Sequence, residues 1–62
     1  MPKAYEMYYI DDRGEEHELG TFIEEPMEEE ELRARMQAWI ARYHGEEEAR
    51  KWLYYSPKWH IG

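Results

Sequence analysis

Cysteine is absent from this 62-residue chain, which excludes disulfide staples and thiolate metal sites. Aliphatic hydroxyls are nearly absent too: Thr21 and Ser56 stand alone, neither in a nucleophile motif. No glycine-rich phosphate loop occurs, and His17, His44 and His60 lack the spacing of a metal site. Carboxylates abound, but a general acid needs a sheltered pocket to raise its pKa, and a chain this short leaves little volume for one. The expectation is a protein without enzymatic activity, with no catalytic, cofactor-binding or metal residues. The beginning of the chain has no apolar h-region, and no apolar run approaches membrane-spanning length. Together with the missing cysteine, this predicts a soluble, cytoplasmic protein with no membrane partner.

What is present is charge and rings. Acids outnumber bases 15 to 8, a net charge of −7, and ten aromatic residues make up 16% of the chain. With 42% hydrophobic residues the chain is not simply disordered. Large rings let a small domain bury much area per residue. The reserve of stability is nevertheless small, on the order of 3–9 kcal/mol at the usual value per residue. Charge is unevenly placed. Residues 1–31 carry twelve acids against Lys3 and Arg13, whereas residues 32–62 carry six bases against Glu46, Glu47 and Glu48. Such asymmetry marks either an interaction surface or pairing within the fold.

Ala4 to Ile10 is aromatic, with a single charge, and reads as a strand buried on both faces. Asp11-Asp12-Arg13-Gly14 supplies turn chemistry, and Glu16 to Ile23 returns as the second strand of a hairpin over 4–23. Gly20 inside it predicts a bulge or a close backbone approach. Pro26 and the glutamates after it open a helix over 26–44. Its apolar stripe is Leu32, Met36, Trp39, Ile40 and Tyr43, with Glu29/Arg33 and Glu31/Arg35 at the favourable spacing of four. Gly45 suits its C-terminus. Residues 46–55 are compatible with a second short helix or a strand. The strand over 50–55 is preferred, because a lone hairpin needs a third partner to carry a helix. The predicted fold is therefore a single α+β domain, 1–62, of ββαβ order. A short antiparallel sheet in the order 2-1-3 carries one amphipathic helix on one face. The tail, 56–62, is either a flap docked over the second face or frayed.

The strand–turn–strand from Tyr9-Ile10-Asp11-Asp12-Arg13-Gly14 to Gly20-Thr21-Phe22 resembles that of arm-type integrase and AP2-like DNA-binding sheets. Those families place a third strand before their helix and are usually basic. Here Pro26 opens the helix directly, and no function is carried over.

A helix covers one sheet face only, and both faces carry large apolar groups, so the second face predicts an interaction surface. The expected function is a small acidic protein-binding module. In its concrete form it is an inhibitor that mimics nucleic acid, of the anti-restriction or anti-CRISPR kind that phages and mobile elements direct at nucleic-acid-handling machinery. Tyr8, Trp52, Tyr54 and Trp59 are the candidate anchors. Asp11, Asp12, Glu15 and Glu16 are the candidates for steering a protein partner with a basic surface. The proposed topology gathers them near Glu46 to Glu48, with a second acidic lobe at Glu24, Glu25 and Glu28 to Glu31 about 25 Å away, one helix length. Solvation and macrodipole pairing are the plainer explanation for the latter group.

Three alternatives remain. One is a designed or engineered miniprotein, suggested by the Glu-rich helix start and Glu/Arg spacing. Another is a structural homo-oligomer or homodimer through the open face. The third is single-stranded nucleic-acid binding by Arg50, Lys51, Lys58 and His60 interleaved with Trp52, Tyr54, Tyr55 and Trp59. The net charge of −7 opposes direct contact with phosphate.

Overall fold

Asp11 organises the first reversal of the chain. Its Oδ1 accepts the backbone N–H of Arg13 and of Glu15, both at 2.9 Å, and Gly14 takes the positive φ of 83° that the turn requires. In the computed structural model, which describes Met1 to Gly62, the turn joins β1 (Lys3–Ile10) to β2 (Glu16–Glu24). The two strands pair antiparallel from Lys3↔Glu24 to Ile10↔Glu16, with a register shift between Met7 and Tyr8.

That shift is a β-bulge at Leu19, the extra residue between Glu18 opposite Tyr8 and Gly20 opposite Met7. It changes which side chains of β2 meet the core. Strict alternation would group Leu19 with Thr21 and Ile23 against Phe22. Instead Leu19 and Phe22 are both buried, while Thr21 and Ile23 are exposed. Gly20 adopts φ 109°, and a Cβ there would lie 3.1 Å from the Trp39 ring. The bulge and the close approach expected of this glycine coincide. On β1 the alternation is simpler: Tyr5, Met7 and Tyr9 are buried, whereas Ala4, Glu6 and Tyr8 are half-buried. Burial is thus one-sided rather than complete on both faces.

Helix α1 spans Glu29–His44, three residues shorter at its start than the pattern from Pro26 suggests. Glu28 is its N-cap and makes no side-chain cap, so Glu29, Glu30 and Glu31 complement the N-terminal dipole by charge alone. Leu32, Met36 and Ile40 are buried along the expected stripe, and Trp39 packs against the same core. Tyr43 departs from it and is exposed.

Residues 50–55 are not a strand. Gly45, at φ 98°, ends α1, and a second helix, α2 (Glu46–Tyr54), begins at once. Three first-turn glutamates and the helix formers Ala49, Arg50 and Lys51 outweigh the strand preference of the aromatics. The helical period also explains burial better. Ala49 and Trp52 point inward and Tyr55 packs beside them, while Leu53 and Tyr54 are exposed. Strand alternation would have paired Trp52 with Tyr54.

The third strand is the tail itself. β3 (Lys58–Ile61) pairs antiparallel with β1, from Tyr5↔Ile61 to Tyr8↔Lys58, giving the sheet order β2-β1-β3. Ser56, at φ 68°, turns the chain between α2 and β3. Trp52 fastens the junction, its Nε1–H donating to the Lys58 carbonyl at 3.2 Å. The expected order survives, but the fold is ββααβ. The tail is an edge strand rather than a flap over the second face. Side chains from both helices and from the inward face of the sheet form one core: Tyr5, Met7, Tyr9, Leu19, Phe22, Leu32, Met36, Ile40, Ala49 and Trp52.

Candidate interaction surfaces

Since α1 and α2 bury their side chains against the same face as Tyr5, Met7 and Tyr9, the opposite face of the sheet carries no cover. Registers place Ala4, Glu6, Tyr8 and Ile10 of β1 on it, with Glu16, Glu18, Thr21 and Ile23 on one side and Lys58 and His60 on the other. It is polar, not a continuous apolar patch. A hollow of about 310 Å³ opens there, between Glu6, Tyr8, Glu16, Glu18, Thr21 and His60. His60 Nε2 lies 3.1 Å from Glu6 Oε1, and its ring sits 5.3 Å from that of Tyr8. Glu16 and Glu18 make no ion pair; across the β1–β2 ladder they face Ile10 and Tyr8.

The hairpin tip is the second acidic feature. Asp11 Oδ2 accepts from His17 Nε2 at 2.8 Å while Oδ1 takes its two backbone N–H groups. The His17 bond, followed by these amides, holds the Asp11 carboxyl below its ordinary range. Asp11 therefore keeps its negative charge at a lower pH than an ordinary aspartate does. Asp11, Glu15 and His17 bring three potential metal ligands within 4.8 Å of one another, a proximity hidden in sequence because the turn folds residue 17 back onto residue 11. The Asp11 carboxylate already has partners at both oxygens.

Tyr9 connects the hairpin to the start of α2. Its hydroxyl donates to Glu48 Oε1 at 3.0 Å, and burial, reinforced by that bond, pushes its pKa up to about 12. The ring stacks with His17 on one side and Tyr55 on the other, at 4.6 and 5.5 Å. Tyr9 thus links His17, the partner of Asp11, to Glu48 on α2. At the other end of β2, Arg35 bridges Glu24 at 3.1 Å and Glu31 at 3.4 Å, and the amino terminus meets Glu25 at 3.3 Å. The spacing-of-four pair Glu31/Arg35 forms, whereas Glu29 and Arg33 make no bridge.

Of the 15 acids, seven take part in ion pairs: Glu6, Asp11, Glu24, Glu25, Glu31, Glu47 and Glu48. The other eight have no such partner, and all are exposed. Only Arg35 and Lys51 among the eight Lys and Arg residues bridge an acid. The charge asymmetry between the halves of the chain is therefore not neutralised within the fold.

The four candidate anchors are not brought together. Trp52 has 0% exposure and is a core residue that offers no contact surface. Trp59 packs half-buried against it, ring centroids 6.3 Å apart, on the helix-covered side. Tyr8 stands on the open face. Tyr54, 80% exposed, lies apart with Leu53 on α2. Of the basic-aromatic row suggested for single strands, Tyr54 alone is largely exposed; its ring meets that of Tyr55 edge to face at 4.9 Å, and Tyr55 in turn stacks on Tyr9. The steering residues are better placed: Asp12, Glu15 and Glu16 are exposed around the tip, and Asp11 is half-buried. Glu18, which sequence reasoning passed over as an ordinary strand residue, joins Glu16 beside Tyr8. Its signal was the Glu16-x-Glu18 alternation, which places both on one face. No helix is long and apolar enough to cross a membrane. Comparison with protein-family models, curated proteins and solved structures gives no match to this chain.

Proposed function

We propose that this chain is a non-enzymatic binding module whose partner is a protein with a basic surface made for nucleic acid, a surface that the module occupies in the nucleic acid's place. The observation that supports this most is the excess of exposed, unpaired carboxylates. Folding normally tolerates a few such groups, but concentrated charge of one sign repels itself and lowers stability. Here six bases leave the acids unanswered while the acids gather at both ends of β2. Across the nine residues from Glu16 to Glu24, extended chain spans about 26 Å. A rigid ladder with acids along that length presents spaced negative charge in a fixed geometry, which is what a phosphate-binding groove recognises.

The reading is of steering and charge complementarity, not of a hydrophobic hot spot, because Trp52 and Trp59 belong to the core side. The test is displacement. Basic nucleic-acid-binding domains, each loaded with a labelled duplex, are titrated with the protein at low and high salt. Release of duplex that fades steeply as salt rises supports the proposal, as does its loss in a Glu15→Gln/Glu16→Gln/Glu18→Gln variant. Failure to displace duplex from any of the domains at low salt, or displacement indifferent to salt, overturns it.

A further inference from the structure

The open face is polarised across Tyr8. On the β3 side, His60 is held by Glu6 and its ring contacts Tyr8, and Lys58 stands directly opposite Tyr8 in the ladder. On the β2 side, Glu18 is opposite Tyr8, and Glu16 follows two residues away on the same face. A cation across the ladder from a carboxylate stabilises the pair. Glu16 and Glu18 have an isoleucine and a tyrosine instead. The result is an aromatic ring with carboxylates along one flank and a hollow of about 310 Å³ above it. The hollow lies beside the Leu19 bulge, which turns β2.

Resting on the reading above, we propose that this uncovered sheet face is the docking surface for arginine side chains of the basic partner, with a guanidinium seated against Tyr8 and bonded to Glu18 and Glu16. Charge decides the occupant. A second copy of the chain would bring another −7 against an already acidic face. A lipid surface of anionic headgroups would be repelled, and an apolar segment would strip water from three glutamates. A guanidinium suits the Tyr8 ring and the Glu16 and Glu18 carboxylates. Its flat face stacks on a ring, its edge donates two parallel hydrogen bonds to a carboxylate, and it is more weakly hydrated than an ammonium. Lys58, opposite Tyr8 on the far side of the ring, confines the cation to the β2 flank.

The probe is an acetylated, amidated tri-arginine peptide, compared with tri-lysine and with tri-citrulline, which keeps the shape and loses the charge. Binding is followed by NMR at the Tyr8 ring and the amides of Glu6, Glu18 and Thr21. Tri-arginine is expected to shift these signals first and to bind more tightly than tri-lysine, with tri-citrulline silent. Tyr8→Leu should weaken tri-arginine about two- to fivefold, and Glu16→Gln/Glu18→Gln about three- to tenfold. Glu46→Gln/Glu47→Gln at the start of α2, which removes the same charge away from the open face, should change it less than about twofold. Circular dichroism on each variant checks that the fold is kept.

If tri-arginine binds but shifts signals only at the hairpin tip or the start of α1, with the open-face variants binding as the parent does, this inference fails while the acidic-binder reading stands. If no cationic peptide binds at low salt, both fail. Equal binding of tri-lysine and tri-arginine overturns the seat on Tyr8, and equal binding of tri-citrulline overturns the role of charge.

Discussion

The two faces of β1 are built from the same kind of residue and behave oppositely. Tyr9, looking inward, is sandwiched between His17 and Tyr55, and its hydroxyl is tied to Glu48. Tyr8, one residue earlier, looks outward across a hollow bordered by carboxylates. One ring holds the hairpin, α2 and the core together, while the other is left accessible. The lesson is that a ring-rich composition does not itself mark a binding surface. Most of these rings are needed to give so small a domain an interior, and the accessible remainder must be judged by what surrounds it.

Removing an interior ring should break the contrast most completely. Trp52→Ala deletes a fully buried side chain and the bond to the Lys58 carbonyl. A loss of about 3–5 kcal/mol rivals the whole stability of a domain this size, so the urea transition should shift toward zero denaturant or vanish. Tyr54→Ala, on the exposed side of α2, should change stability by less than about 0.5 kcal/mol. Gly20→Ala comes next. Its φ of 109° and the Trp39 ring 3.1 Å from the new Cβ should cost about 1–3 kcal/mol, read from the same denaturation curve.

The hydroxyls then sharpen the comparison. Tyr9→Phe removes a bond to a charged acceptor and should cost about 1–2 kcal/mol, whereas Tyr8→Phe should cost less than about 0.5 kcal/mol. Similar losses for the two would erase the distinction between the faces. Smallest is the acid limb. Folding lowers the Asp11 pKa from 3.8, so its contribution is complete above that value and fades as pH falls through it toward the folded pKa. Asp11→Asn should flatten this part of a stability profile measured below about pH 4 and leave the profile near neutrality nearly parallel to the parent's.

The hairpin and α1 were legible because their signals are local; the strand order came out as expected although its third strand is the tail, not residues 50–55. Asp-Asp-Arg-Gly is turn chemistry, and the spacing of Leu32, Met36 and Ile40 is a helix face. Residues 46–55 were misread because Trp52, Leu53, Tyr54 and Tyr55 favour strands one by one. What decides the matter is the Gly45 stop followed by three glutamates, together with a tail able to supply the missing strand. Lys58 to Ile61 is short and carries no pattern of its own, so its strand character comes from pairing with β1. The bulge could be suspected from Gly20, yet its effect on the facing of Leu19 and Phe22 depends on where the extra residue falls. Among the candidate residues, the exposure of Asp12, Glu15 and Glu16 was readable from the turn chemistry around them. The burial of Trp52 followed only from its helix, whereas the partnership of Tyr8 with Glu18 belongs to the regular register between the turn and the bulge, Ile10↔Glu16 to Tyr8↔Glu18.

If the acids beside Tyr8 serve recognition rather than folding, removing their charge should separate the two properties. The direct measurement is the paired determination of thermal midpoint and duplex displacement for Glu16→Gln/Glu18→Gln. The midpoint should hold or rise by about 1–3 °C as self-repulsion is relieved, while displacement of duplex from a basic domain falls. A lower midpoint with undiminished displacement would assign these carboxylates to the fold and contradict the account.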